Sequence, residues 1–510
     1  MNKQTFFFYD LETSGLSARD DRIMQFAGQR TDSDLKPIGE PVNILVKLSN
    51  DTLPSPGAIM VTKITPQQTQ TDGITEAEFC QYVTDEIFTK NTCAVGYNSV
   101  RFDDEFMRHT FWRNFYDPYV WQWKDGRSRW DLLDVVRLTR ALRPDGIKWP
   151  TQEIEVDEKD DDGKSTGKKK KVSVETNRLE LITKENGITH AHAHDALSDV
   201  EALIDVTRLI KEKQPKLFEY LYKIRDKKQV AKLVNLDEKR PFVYASGRYS
   251  GEHHKTTVAF PLTAGRNGNI LIFDLRYNLD ELLKKQDADN KDLLKNNLKK
   301  LKNGEEVSAA KDTNGNSFYP VVKELSLNKC PAVSPIGVLD AESTEEFSEK
   351  GKKPLRQTGW QRIGLDKATV EKNLKSLLSH PDFAERMREY YENRPDFPPA
   401  PDPEGNLYAG FLDTHDANLC NAIRNADENR LADFHPSFND ERLPDLLLHY
   451  KAKNYPKSLA EDELPKWEEY RLTRLNRQLP GFMKQMEDLK AKGADDFLLE
   501  ELMLWYQSLE

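Results

Sequence analysis

The chain has 510 residues, with 75 Lys and Arg against 85 Asp and Glu and a formal net charge of −10 at pH 7. That length exceeds one hydrophobic core, so roughly two to four domains are expected, and the acidic balance excludes a uniformly basic protein that coats nucleic acid; any nucleic-acid path must be a local basic groove, weakened by salt. Four scattered cysteines without metal-ligand spacing, no cleavable leader and no long apolar run argue against a disulfide scaffold or membrane protein and for a cytoplasmic one.

The run Phe6-Phe7-Phe8-Tyr9-Asp10-Leu11-Glu12-Thr13 is aromatic and β-favouring and ends in the turn-forming Ser14-Gly15, which predicts a buried strand. Side chains alternate faces along a strand, so Asp10 and Glu12 project the same way at its carboxyl end. Like charges that close repel unless a cation lies between them. Taken alone, D-x-E equally suits an exposed strand edge with two solvated acids. Strand-like runs at Ile23–Arg30, Val42–Leu48 and Thr92–Tyr97 alternate with helix-like Glu76–Phe88, Trp130–Leu142 and Ala196–Lys211, the pattern of an α/β domain around a mixed sheet.

A second cluster, Gly96-Tyr97-Asn98-Ser99-Val100-Arg101-Phe102-Asp103, reads as strand, turn and helix. Asp103 falls in the first helical turn, where the dipole favours an acid, and Asn98 is placed to orient the loop. A capping Asn98 beside a solvated Asp103 is the plainer alternative. From Arg108 to Arg143, Phe111, Trp112, Phe115, Tyr116, Tyr119, Trp121, Trp123 and Trp130 are interleaved with Arg108, Arg113, Arg127, Arg129 and Arg137. Aromatic faces and a basic track suit a single strand bound without reading its sequence, although most such aromatics are core. Residues 153–176, with Asp160-Asp161-Asp162 and Lys168-Lys169-Lys170-Lys171, read as a hydrated, mobile insertion.

The third cluster is His194-Asp195-Ala196-Leu197-Ser198-Asp199, leading into the apolar-periodic Val200–Ile210. Both His194 and Asp199 reach one site if a helix begins between them. His190 and His192 lie close by, so a bland His-rich loop is the competing reading. Beyond residue 213, short β-like pieces at Phe242–Ser246, Thr256–Phe260, Asn269–Leu275 and Tyr319–Glu324 predict a small β-rich domain, and Ala341–Gly359 reads as a polar linker or long loop. The pattern then turns helical, with Val370–Leu378, Phe383–Tyr391, Leu443–Lys451 and Asp495–Leu509, interrupted by the Pro-rich Arg394–Pro403. Domains are expected over 1–212, 213–366 and 367–510.

What weighs against the bland readings is the joint occurrence, in order, of D-x-E, N-x-x-x-F-D and H-x-x-x-x-D. Two divalent cations about 3.5–4 Å apart can activate an attacking water and stabilise the leaving oxygen of an in-line displacement, and the clamp needs several hard oxygen ligands. Asp10, Glu12, Asp103 and Asp199 are therefore the expected ligands of two Mg2+ ions, with Mn2+ as a substitute. His194 carries the side chain whose pKa lies nearest neutrality and is the expected general base. Thr13, beside Glu12, is either a contact to a terminal nucleotide or a turn-supporting hydroxyl.

This combination resembles the DEDD exonuclease superfamily in its histidine-bearing subclass. Further stretches, among them Gln25-Phe26-Ala27, Arg30-Thr31-Asp32-Ser33, Arg113-Asn114-Phe115-Tyr116-Asp117-Pro118-Tyr119, Arg129-Trp130-Asp131-Leu132-Leu133-Asp134 and Leu407-Tyr408-Ala409-Gly410-Phe411, resemble the bacterial exodeoxyribonuclease I family along the whole chain. The resemblance implies an α/β ribonuclease H-like nuclease domain with a mixed sheet, a small SH3-like β-rich domain and a C-terminal helical domain. It implies processive 3′ to 5′ hydrolysis of single-stranded DNA by a monomer, releasing 5′ mononucleotides, in DNA repair and recombination. Substrate contacts are implied at Glu12, Thr13, Arg108, Tyr119, Trp123, Arg137 and Arg178. The planar fork of Arg178 suits a phosphate, with a helix-surface salt bridge as the alternative. A partner is implied as well, the acidic, Phe-ending tail of single-stranded DNA-binding protein, with Arg240 and Arg362 as candidates for its pocket. Within the enzyme class, a 3′-5′ exonuclease acting on RNA ends or as a proofreading activity is the alternative; a binding scaffold with a vestigial site is the other.

Overall fold

Both faces of the first aromatic run are buried, which makes it a central strand, β1 (Thr5–Thr13). Phe7, Tyr9 and Leu11 enter one core with Phe26, Phe79 and Phe106, and Phe6 and Phe8 fill the opposite face, the face that Asp10 and Glu12 share by alternation. β1 pairs antiparallel with β2 (Ile23–Thr31) and parallel with β4 (Thr92–Gly96). With β3 (Val42–Leu45) and β5 (Ser128–Asp131) the order is β3-β2-β1-β4-β5, the expected mixed sheet.

The computed structural model describes residues 4–159, 165–188, 195–283, 310–311, 317–318, 321–347, 353–394 and 398–510. They form two units, the first built from the stretches 1–129, 190–204 and 398–510 and the second from 130–189 and 205–397. In the first unit the helices Glu463–Ala491 and Asp496–Leu509 supply Leu475, Phe482, Met486, Leu498, Leu502 and Trp505 to a core that also contains Met24, Leu48, Leu53 and Ile59. A further core joins Trp112 and Phe115 to Leu407, Ile423, Leu443 and Leu446. The 29-residue helix Glu463–Ala491 carries Pro480 in its interior.

In the second unit an antiparallel sheet runs Val322–Leu325, Ile270–Asp274, Thr256–Ala264, Phe242–Ala245, Ala332–Pro335, close to the β-like pieces expected from the sequence. Two expectations are corrected here. The insertion at 153–176 is, in its described residues, an antiparallel hairpin of Thr151–Lys159 and Ser165–Glu175. Its acids and lysines face one another across the strands, with Lys169 3.6 Å from Glu155 and Lys171 3.4 Å from Glu153, while Ile154 and Val156 share the other face with Val172 and Val174. The polar stretch Ala341–Gly359 contains two paired strands, Glu342–Phe347 and Leu355–Thr358. Glu345 is buried there against Arg362 at 2.9 Å, so ionic pairing, which hydrophobic patterning does not register, fixes that segment. Among the described residues no helix is long and apolar enough to cross a membrane.

Candidate functional site

Three of the expected carboxylates converge. Asp10 and Glu12, on one face of β1, meet Asp199 from the first turn of the helix Ala196–Lys213, and one oxygen from each lies within 4.8 Å of the others. Asp195 shapes that helix start: its side chain accepts the Ser198 N–H at 3.1 Å and its carbonyl the Asp199 N–H at 3.0 Å. Burial, and next the charge of Asp199, pushes the Asp10 carboxyl up to about 8. Burial pushes Glu12 up to about 8 as well, reinforced by Asp10, Asp199 and Asp195. Among the described residues no Lys or Arg pairs with Asp10 or Glu12, so near neutral pH the cluster needs protons or cations to offset its own repulsion. All three donors are hard oxygens, a set that fits a divalent ion such as Mg2+ or Mn2+.

Asp103 lies in the first turn of the helix Asp103–Arg113 and is buried, but it stands outside that 4.8 Å group. Its neighbour Asp104 is taken up structurally, accepting the Tyr9 hydroxyl at 2.7 Å and pairing with Arg129. Asn98 adopts φ 65°, a left-handed conformation that Asn tolerates, and its side chain makes no capping bond to the helical turn that follows. Thr13 is buried and its hydroxyl donates to the Gly15 carbonyl at 2.7 Å, as a turn-supporting residue does. His194, with His190 and His192, lies outside the described residues.

The aromatic segment divides as its composition suggests. Phe111, Trp112, Phe115, Trp121 and Trp130 are core, whereas Trp123 is 64% exposed and Tyr119 half-buried. Arg108 is buried beneath Tyr119, its guanidinium 5.6 Å from the ring centre, and is engaged by Glu105 at 2.6 Å and Gln122 at 2.9 Å. It therefore supports the ring more directly than it faces solvent. Phe411, 87% exposed, stands 6.0 Å from Tyr119, and the Tyr408 hydroxyl reaches Glu105. Nothing in the spacing of Tyr408 and Phe411 along the chain marks them as partners of this segment, which lies some 300 positions away.

In the second unit Arg178 is exposed at the N-terminal boundary of the helix Leu179–Glu185 and pairs with Glu180, while Arg137 pairs with Asp134 at 2.6 Å. Arg362 is buried and donates to the carbonyls of Arg140 and Ala141, which withdraws it as a surface contact for a peptide tail; Arg240 stays exposed beside Glu238. Sequence reasoning missed Arg22, which is 1% exposed and bonded to Glu404 at 2.6 Å. An arginine opening a strand carries no signal of a partner some 380 positions away.

Residues 7–207 match the family described as Exonuclease, residues 225–349 the Exonuclease I SH3-like domain and residues 401–509 the Exonuclease I C-terminal domain. The Exodeoxyribonuclease I of Haemophilus influenzae (strain ATCC 51907 / DSM 11121 / KW20 / Rd) is 37% identical over 510 residues, spanning 99% of this chain and 98% of its own. Among solved structures, the zinc-ion-bound form of the E. coli ExoI–ssDNA complex aligns with a TM-score of 0.84 at 32% identity, covering 100% of both chains. An SSB/Exonuclease I complex with the inhibitor CFAM aligns at 0.81 and 31%, again over 100% of both. The match to an exonuclease domain carries dependence on a divalent metal with it, and the Asp10, Glu12 and Asp199 carboxylates are a donor set of that kind.

Proposed function

The chain belongs to the exodeoxyribonuclease I family, and from that premise we propose that it hydrolyses single-stranded DNA from the 3′ end, releasing 5′ mononucleotides, with Mg2+ held by Asp10, Glu12, Asp103 and Asp199. The observation that carries the reading is the convergence of Asp10, Glu12 and Asp199 within 4.8 Å, two of them pushed up to about 8. Divalent ions bound there supply positive charge to the leaving oxygen and acidify the attacking water. His194 is assigned the removal of a proton from that water, which then attacks the phosphorus of the last linkage as the 3′ oxygen of the preceding nucleotide leaves.

Trp123 and the Tyr119–Phe411 pair offer faces on which bases stack, sequence-tolerant because every base has one. Arg137 and Arg178 are assigned to the phosphate backbone, Arg108 to holding Tyr119, and Thr13 to the turn beside the terminal nucleotide. The domains are assigned as 1–212 for the nuclease, 213–366 for the SH3-like region and 367–510 for the helical region, supported by family matches that fall within each. The tail of single-stranded DNA-binding protein is the proposed partner, supported by the SSB complex of the aligned structure. Four buried free cysteines accord with a reducing cytoplasm. Repair and recombination are the proposed setting, since both generate free 3′ single strands.

The test is a time course on 5′-labelled single-stranded DNA with Mg2+, resolved by product length, beside a duplex and an RNA strand. Mg2+-dependent shortening of the DNA strand alone is expected; preference for RNA, or no cleavage, would overturn the reading.

A further inference from the structure

The pairing of β1 with β2 runs in register from Phe6 opposite Thr31 to Glu12 opposite Gln25, and then shifts so that Thr13 faces Ile23. Met24 is the extra residue of a β-bulge beside Glu12. A bulge bends its strand and re-aims the neighbouring side chains, so the direction of Glu12 depends on what holds the bulge in place.

The residues that hold it come from the C-terminal region. Met24 is fully buried in the core formed with Leu475, Phe482, Leu502 and Trp505. Arg22, two positions away, exchanges bonds with Ser14: the Arg22 N–H donates to Ser14 Oγ at 2.9 Å, and the Ser14 N–H donates to the Arg22 carbonyl at 2.9 Å. Ser14 is two residues beyond Glu12. The Arg22 guanidinium donates to Glu404 at 2.6 Å and reaches Asp51 at 3.5 Å. Arg474 donates to the Asp20 carbonyl at 2.6 Å and to the Asp51 carbonyl at 3.1 Å, which secures the same turn from the helix Glu463–Ala491. One side of the bulge is thus packed by residues of the C-terminal region, and the other is ion-paired to Glu404, 382 positions along the chain, as well as to Asp51.

We propose that the C-terminal region 401–509 is part of the metal site in function, with Arg22 and Met24 as positioning residues through which it sets the aim of Glu12. The proposal rests on reading Asp10, Glu12 and Asp199 as the metal site. It assigns the helical region a task at the nuclease site: without its grip on the turn Ser14–Arg22, Glu12 loses its fixed direction toward Asp10 and Asp199.

Substitutions in the full chain separate this from ordinary stability. Arg22→Lys keeps the charge but loses the guanidinium fork, Met24→Ala empties the bulge pocket, and Leu271→Ala removes a fully buried side chain from the strand Ile270–Asp274 of the second unit, away from the core that holds Met24. Each is followed by calorimetric titration of Mn2+ into the metal-free protein, by the Mg2+ concentration giving half-maximal rate, by KM for DNA and by Tm. Arg22→Lys and Met24→Ala are expected to weaken Mn2+ binding roughly tenfold to a hundredfold, the range found when groups that orient metal ligands are altered, with KM for DNA unchanged. Leu271→Ala is expected to lower Tm without moving Mn2+ binding, and Met24→Leu, which refills the pocket, to bind Mn2+ as the wild type does. Wild-type Mn2+ binding in folded Arg22→Lys would overturn the proposal even if Met24→Ala fails to fold, and so would equal weakening by Leu271→Ala. Absence of Mn2+ binding by the wild-type chain would instead sink the metal-site reading itself.

Discussion

Asp10 and Glu12 are pushed up to about 8, whereas Asp51 and Glu404, buried in the same unit, are held well below the usual carboxylate range. Burial opposes ionisation in both places. For Asp51 it is outweighed by Lys453 at 2.9 Å, Arg474 at 3.3 Å and Arg22 at 3.5 Å. Glu404 is likewise held by Lys453 and Arg22, and the His449 ring lies 3.0 Å away. The protein supplies its own cations to one group of acids and, among the described residues, no Lys or Arg to Asp10 or Glu12. Burial therefore does not decide whether an acidic cluster is scaffold or site; the partner does.

The contrast is broken most severely at the site. Asp10→Asn should cost several kcal/mol of transition-state stabilisation, on the order of a thousandfold in kcat, with little change in the affinity for DNA. Steady-state rates beside a DNA-binding titration check this, and near-normal turnover would remove Asp10 from the chemistry. At the scaffold, Glu404→Gln leaves Arg22 and Lys453 facing a neutral amide, and urea unfolding should show a loss of about 3–5 kcal/mol, the usual consequence of breaking a buried pair.

The pH dependence of the two clusters has opposite sign. The folded pKa of Asp10 and Glu12 is raised, so their contribution to stability is complete below the ordinary carboxylate range near 4 and is lost as pH rises toward 8. Asp51 and Glu404 are depressed, so theirs is present above that range and is lost on acidification. In the absence of metal, the Asp10→Asn, Glu12→Gln double variant should match the wild type in stability near pH 4 and exceed it increasingly up to pH 8. Denaturant titrations across that range would show the two curves separating as pH rises, and a constant gap would contradict the assignment. The smallest effect lies outside both clusters: Trp123→Ala should weaken single-stranded DNA binding by about 1–3 kcal/mol, the worth of one stacked base, and leave metal binding untouched.

Much of this was legible beforehand. Alternation along Phe6–Glu12 placed both acids on one face of a strand, and the spacing of Asp199 put it in the first turn of a helix, because local periodicity governs both. The scaffold cluster was not legible, since Arg22, Asp51, Glu404, Lys453 and Arg474 lie far apart in the chain and no local pattern couples them. The helix Glu463–Ala491 also escaped, its charged surface and Pro480 masking a narrow apolar stripe. The hairpin at Thr151–Lys159 and Ser165–Glu175 looked like a solvated insertion because its cross-strand charge pairs become visible only once the register is known. Within Asp103-Asp104 the sequence could not show that Asp104 would be the acid taken by Tyr9 and Arg129.

The most direct test is to count the ions. Mn2+ titrated into the metal-free protein at pH 8 and followed by electron paramagnetic resonance should show two bound ions per chain, with loss of binding in Asp10→Asn and none in Trp123→Ala. Equal binding in wild type and Asp10→Asn would contradict the claim that the chain leaves these acids for a divalent metal to neutralise.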